Sequence, residues 1–153
     1  MGKTHRPSTH PALINPRVMS MRGKDLGWSL VNLEKLLENR RVGMRGWRWV
    51  QISKNDILRE NAADIAALCP WVHELPDWRG YIIGAVHFSH AVDSNDAQLD
   101  APRLKPWVKG PKCSVVTAAL RLEVPVKVKG TVNPNEPMPA DVVEKLQDQL
   151  EAP

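Results

Sequence analysis

Apolar residues recur along this chain with two periods, and the changes between them mark out its elements. Arg17 to Arg22 (R-V-M-S-M-R) alternates apolar and polar, the pattern of a short strand. Gly23-Lys24-Asp25 breaks that alternation. Leu26, Leu30, Leu33 and Leu37 then recur at three- and four-residue spacing, which predicts a helix starting near Asp25 or Gly27, with Trp28 on its first turn. Leu36 to Arg40 fits either the end of that helix or the start of a strand. Gly43 and Gly46 bracket a turn, and residues 47–52 (W-R-W-V-Q-I) alternate as a strand. Ser53-Lys54-Asn55-Asp56 reads as a helix cap, and Ile57, Leu58, Asn61, Ile65 and Leu68 predict a second helix closed by Pro70.

Residues 70–80 form a loop with two tryptophans. Tyr81 to Val92 is the clearest strand, too rich in β-branched and aromatic side chains for a helix. Residues 93–106 form a polar loop of the length that lids and binding loops have. Cys113 to Leu122 and Val124 to Val128 predict two more strands, and residues 133–139 are irregular. A last helix opens at Pro139-Ala140-Asp141, with Val142, Val143, Leu146 and Leu150 as its apolar stripe. Five or six mostly antiparallel strands with two or three helices, and no βαβ repetition, predict an α+β domain or a small barrel with helices outside it. Residues 1–16 carry prolines and histidines but no acidic side chain and no period, so they are assigned to a flexible arm, and 17–150 to the domain.

Charge adds an asymmetry that the formal net value of +4 over 153 residues conceals. From Met1 to Lys54 eleven Lys/Arg face three Asp/Glu, a balance of +8. From Pro106 to Gly130 five basic residues face one acidic, a balance of +4, and the other segments are net acidic. Two basic blocks make one positive face if the fold brings them together, and such a face steers phosphate. No run is long and apolar enough for a membrane helix, and the N-terminus lacks the apolar core of a secretory signal, so a cytoplasmic protein with no membrane partner is expected. Cys69 and Cys113 lack metal-site spacing and read as buried or free thiols. No nucleophile elbow, phosphate-cradling glycine loop or Cys-x-x-Cys pair is present, and no cofactor is implied.

The sharpest chemical cluster is Lys35, Glu38 and Arg40. On a helix Lys35 and Glu38 share a face, and on a strand Glu38 and Arg40 do. One reading is a charged pocket, with the cations for a phosphate or carbonyl oxygen and Glu38 as base or acceptor. The other is a surface helix end with ordinary ion pairing. A lysine in this position is expected to be partly exposed and to matter little for stability. Arg45 and Arg48, beside Trp47 and Trp49, extend the basic stretch. In a strand the two tryptophans point one way and Arg48 the other, so one of those faces belongs to the core. His87 and His90 face opposite sides of a regular strand and cannot share one metal ion, so no metal site is expected.

In order and spacing these segments resemble the ASCH (activating signal cointegrator homology) domain, a branch of the PUA-like barrels. Val18-Met19-Ser20-Met21-Arg22 resembles its opening strand, Lys35-Leu36-Leu37-Glu38-Asn39-Arg40 its K-x-x-E-x-R signature, and Arg45 to Ser53 the strand after it. Gly80 to Val92 resembles its G-x-I-x-G strand, and Trp107-Val108-Lys109-Gly110-Pro111 and Lys129-Gly130 its later landmarks. The resemblance implies a barrel with a cleft beside its first helix. It implies single-stranded RNA or a nucleotide as partner, with Trp28 stacking, Lys35, Arg40, Arg45 and Arg48 on phosphate, and Glu38 accepting from a base or ribose. Some members resemble metal-independent hydrolases, which would make Lys35 and Glu38 catalytic: a ribonuclease, or less readily an acetylcytidine amidohydrolase, since Glu38 stands where those have a threonine. A protein-interaction domain is a third reading. The sequence says nothing of oligomeric state.

Overall fold

A computed structural model describes residues 10–55, 67–129 and 136–150. Five strands form one sheet: β1 (Val18–Met21), β2 (Leu37–Arg40), β3 (Gly46–Ile52), β4 (Tyr81–Asp93) and β5 (Lys112–Lys127). Among the described residues, α1 (Gly23–Val31) and α2 (Ala140–Leu150) pack against it. The order across the sheet is β1-β3-β4-β5-β2, which leaves β1 and β2 at the two edges. β1 runs parallel to β3, and the other three pairings are antiparallel. The expected α+β class and mostly antiparallel sheet hold, with five strands. No helix among the described residues is long and apolar enough to cross a membrane.

Alternation, reset by bulges in β3 and β4, lets the sheet bury both faces. Met19, Met21, Val50, Ile52, Ile83 and Val86 enter one apolar cluster, together with Trp28, Leu30 and Val31 of α1. Their chain neighbours Val18, Trp49, Ile82 and Ala85 enter the opposite cluster, which α2 closes with Val142 and Leu146. A period of two in the strands, shifted by the bulge between Ile82 and Gly84, and one apolar stripe per helix specify this three-layer packing. Trp49 is wholly buried, and its indole Nε1–H donates to the Ala12 carbonyl at 2.8 Å. Residues 10–16, assigned by sequence to an arm, therefore lie against the sheet, with Ala12 buried; residues 1–9 lie outside the described part.

Three expectations need correction. The first helix starts earlier, at Gly23, and ends earlier, at Val31. Gly23, read as a breaker, takes φ +71° and turns the chain directly from β1 into the helix. Leu33 and Leu37 do not continue its stripe: Leu33 has φ +59° and lies 37% exposed beyond the helix end, and Leu37 is buried in β2. The two strands expected at 113–122 and 124–128 are one strand of 16 residues. Pro125 is tolerated there because the pairing with β4 skips from Gly84–Arg121 to Ile82–Val126, a bulge in which residues 122–125 have no ladder partner to lose. The helix expected at 56–69 falls mostly outside the described residues, and 67–68 are helical where the chain resumes.

Candidate functional site

Lys35 stands between α1 and β2, Glu38 and Arg40 in β2 itself. Successive residues of a strand point to opposite faces, so Glu38 and Arg40 share one face and Leu37 and Asn39 the other. Lys35 Nζ donates to Glu38 Oε1 at 2.8 Å. Arg40 Nε donates to Glu38 Oε2 at 3.2 Å, and the backbone N–H of Asn39 donates to Oε1 at 3.0 Å. Burial alone would raise the pKa of Glu38. The charges of Lys35 and Arg40, with the hydrogen bonds from Lys35 and Asn39, outweigh it and hold the carboxyl below its ordinary value. The structure thus brings the three motif residues together.

It also buries two of them. Lys35 is 3% exposed and Glu38 5%, and only Arg40, with 39% of its side chain exposed, reaches solvent. The partly exposed lysine expected from sequence is an interior one, because the turn after Val31 and the start of β2 fold its side chain over Glu38 rather than outward. Arg40 has a second task. Its Nη2 donates to the Ser20 carbonyl at 3.1 Å and lies 3.5 Å from Met21 Sδ. Ser20 and Met21 belong to β1, the opposite edge of the sheet. One guanidinium therefore ties edge to edge, and the sheet must curl for it to do so. Bridging by a charged fork to a carboxylate and a carbonyl is geometry that arginine, with its planar set of donors, can satisfy.

The remaining predicted residues lie elsewhere. Arg45 is exposed on the 41–45 turn that joins β2 to β3, as is Arg41. That turn is held on the sheet: Met44 N–H donates to Ser114 Oγ at 2.8 Å, and a Cβ added to Gly43 would come within 2.3 Å of Ala91 Cβ. Arg48 is half-buried on the face of Val50 and Ile52, where burial, then the charge of Arg17, lowers its pKa. Trp47 packs edge-on against His10 and at a tilt against His87, with centroids 5.4 Å from each. Trp28 is 2% exposed. The Cζ of Arg121 lies 4.9 Å over its ring, and its Nε1–H donates to the Pro76 carbonyl at 2.9 Å. It is a buried wall rather than an open stacking platform.

The two basic blocks do meet. Arg40 of the first is the register partner of Lys112 of the second, and Arg41 follows it onto the exposed turn. Lys112 pairs with Asp93, the last residue of β4. Asn39 fixes the chain between the blocks: its Oδ1 accepts from Lys109 N at 2.8 Å and Gly110 N at 3.1 Å, and its Nδ2 donates to the Trp107 carbonyl at 2.9 Å. His87 and His90 have separate partners, Thr117 for the first and Ser89 and Gln98 for the second. No group of three or more metal-ligand side chains occurs among the described residues. Cys69 and Cys113 are buried, free thiols, and burial raises the pKa of both.

Sequence reasoning missed one feature altogether, a pocket of about 420 Å³ away from the motif. Its walls are Trp28, the Pro76 and Trp78 segment, and the run from Arg121 to Pro125 of β5. Lys35, Glu38 and Arg40 do not line it. The readable signal was Arg121-Leu122-Glu123 ahead of Pro125, two opposite charges beside a strand-disrupting proline.

No family model and no curated protein matches the chain. Among solved structures it is similar to the ASCH protein of Zymomonas mobilis, at 14% identity and a TM-score of 0.47, over 84% of this chain and 91% of that one. A single-residue mutant of the same Zymomonas mobilis protein gives 14% identity and a TM-score of 0.45, over 84% and 92%.

Proposed function

We propose that this chain is an ASCH-type, PUA-like domain that binds single-stranded RNA on the basic surface around β2 and the 41–45 turn. The carrying observation is the β2–β5 pairing. It sets Arg40 opposite Lys112, with Arg41 and Arg45 exposed on a turn anchored to Ser114 and Ala91. Cations on a fixed backbone contact phosphates without reading sequence. In this reading Lys35 and Glu38 do not touch RNA. They hold Arg40, and Arg40 holds the sheet edges that carry the surface. The order of motifs that resembles the ASCH family supports the same conclusion.

A hydrolase would use the same motif but needs a substrate atom against Lys35 or Glu38. Their burial supports binding over turnover. The test is fluorescence anisotropy of an end-labelled 12-nucleotide uridylate. Charge reversal by Arg41→Glu with Arg45→Glu is expected to abolish binding while leaving the melting temperature within about 2 °C, since exposed turn residues contribute little stability. RNA affinity that survives the reversal would take the contact off this turn, and a wild type without RNA affinity would favour a protein-interaction domain instead. Metal-free cleavage of the RNA by the wild type would restore the hydrolase.

A further inference from the structure

The pocket beside Trp28 has no role in that reading, yet its chemistry is defined. Arg121 and Glu123 stand two residues apart at the bulge of β5, and both line the pocket. Arg121 lies over the Trp28 ring. Neither side chain has a hydrogen-bond or ion-pair partner among the described residues, and they do not pair with each other. A ligand that joins them must accept from a guanidinium at one edge and donate to a carboxylate at another. Trp78, 36% exposed, is braced edge-on against Tyr81 with ring centroids 4.9 Å apart, so its indole is a fixed flat surface. Pro76 and Pro125 add walls without an N–H. The wall is tied to α1 by Trp28 Nε1–H to the Pro76 carbonyl and by Lys24 Nζ to the Leu75 carbonyl, each 2.9 Å.

A planar heterocycle with polar edges fits these walls, and their chemistry selects among bases. Guanine has two acceptors, O6 and N7, on one edge, the pattern that arginine grips. On another edge its N1–H and N2–H donors lie side by side, matched to the two oxygens of a carboxylate. Adenine puts an acceptor where N1–H would be. Uracil has a single N–H between two acceptors, and cytosine sets an acceptor beside its amino group. We propose that this pocket is a guanine subsite, in which Trp78 stacks on the base, Arg121 donates to O6 and N7, and Glu123 accepts from N1–H and N2–H. The proposal rests on the RNA-binding reading and adds one base-selective position to an otherwise sequence-tolerant surface. Bases splayed from single strands are commonly held in this way.

The test uses the whole chain, tryptophan-fluorescence quenching and calorimetry. GMP is expected to bind at least about tenfold more tightly than AMP, CMP or UMP, the discrimination that a bidentate pair supplies. IMP, which lacks the N2 amino group, should fall between. Glu123→Gln should erase the guanine preference, and Trp78→Ala should weaken all four nucleotides and remove the quench. A 12-nucleotide uridylate with one central guanosine is the second arm. Preference for it without binding of GMP would mark RNA as the source of the guanine, and binding of GMP alone would mark the free nucleotide. Equal affinity for the four nucleotides and no gain from the central guanosine would overturn the proposal. So would a guanine preference intact in a Glu123→Gln variant that melts like the wild type, or a proline-rich peptide that quenches where neither guanine probe does. Salt-sensitive uridylate binding that persists without guanine preference would sink the subsite and spare the basic surface. GMP binding that persists without uridylate binding would do the reverse.

Discussion

Lys35→Ala tests whether the motif is an interior clasp. The substitution removes a buried ammonium and leaves the Glu38 carboxylate, itself buried, with Arg40 and one backbone N–H. Breaking a buried ion pair by deleting one partner costs about 3–5 kcal/mol. Arg40 stays on Glu38 but is partly in solvent, so the lower end, about 3 kcal/mol, is expected. For a chain of this length 1 kcal/mol moves Tm by about 2–4 °C, so the fall is about 6–12 °C. The assay is thermal unfolding at pH 7 followed by near-ultraviolet circular dichroism, with Lys145→Ala on the exposed side of α2 as control, expected to shift by no more than about 2 °C. Replacing both partners, Lys35→Met with Glu38→Leu, should recover most of the loss, because the desolvation cost of both charges disappears with them. If Lys35→Ala melts within about 2 °C of the wild type, as the control does, the buried pair is not what holds β2 in place.

Further outcomes follow from the same geometry. The folded pKa of Glu38 lies below its unfolded value of about 4.3, so its contribution is present above that pH and lost as pH falls through the folded pKa. Glu38→Gln should therefore flatten the acid limb of a Tm-against-pH curve below about pH 4, while an unchanged limb would place the acid sensitivity elsewhere. Arg40→Lys cannot keep both Glu38 and the Ser20 carbonyl, and should cost about 1 kcal/mol in a urea melt; no change would mean the edge-to-edge tie is idle. Trp49→Phe keeps an aromatic core side chain but removes the pyrrole half of the indole and strands the Ala12 carbonyl, at a cost of at least about 1–3 kcal/mol, with faster proteolysis near Ala12 as the readout.

What the sequence made legible follows from how local each signal is. The β-branched and aromatic runs in 47–52 and 81–92 gave β3 and β4 nearly to the residue, because each strand faces two apolar clusters; the bulges that shift their period were not legible. The leucine spacing misled at Leu33 and Leu37, since two residues can match a helical stripe by chance after the helix has ended. A clearer stop signal was Asn32, whose Nδ2 donates to the Trp28 carbonyl at the helix end. The proline and the charges in 121–125 looked like a strand break. That stretch is continuous because its free side is served by α2, where Gln149 bonds both the N–H and the carbonyl of Val124.

The convergence of Lys35, Glu38 and Arg40 was readable from spacing once a helix-to-strand junction was allowed. Their burial was not, because it depends on how the turn after Val31 seats Lys35 over Glu38. The tie from Arg40 to Ser20 joins residues 20 apart on opposite sheet edges, and the Trp28 pocket draws on three distant segments. No local pattern encodes either.

The most direct test of the RNA-binding account is the salt dependence of affinity for the 12-nucleotide uridylate, measured by anisotropy from about 50 to 200 mM salt for the wild type and the Arg41→Ala, Arg45→Ala double variant. Each phosphate contact on a single strand adds about 0.7 to the slope of log affinity against log salt. The account predicts a steep negative slope for the wild type, shallower by about 1.4 in the double variant, with Tm unchanged. A wild type whose affinity does not fall with salt, or a double variant with the wild-type slope and affinity, would contradict it.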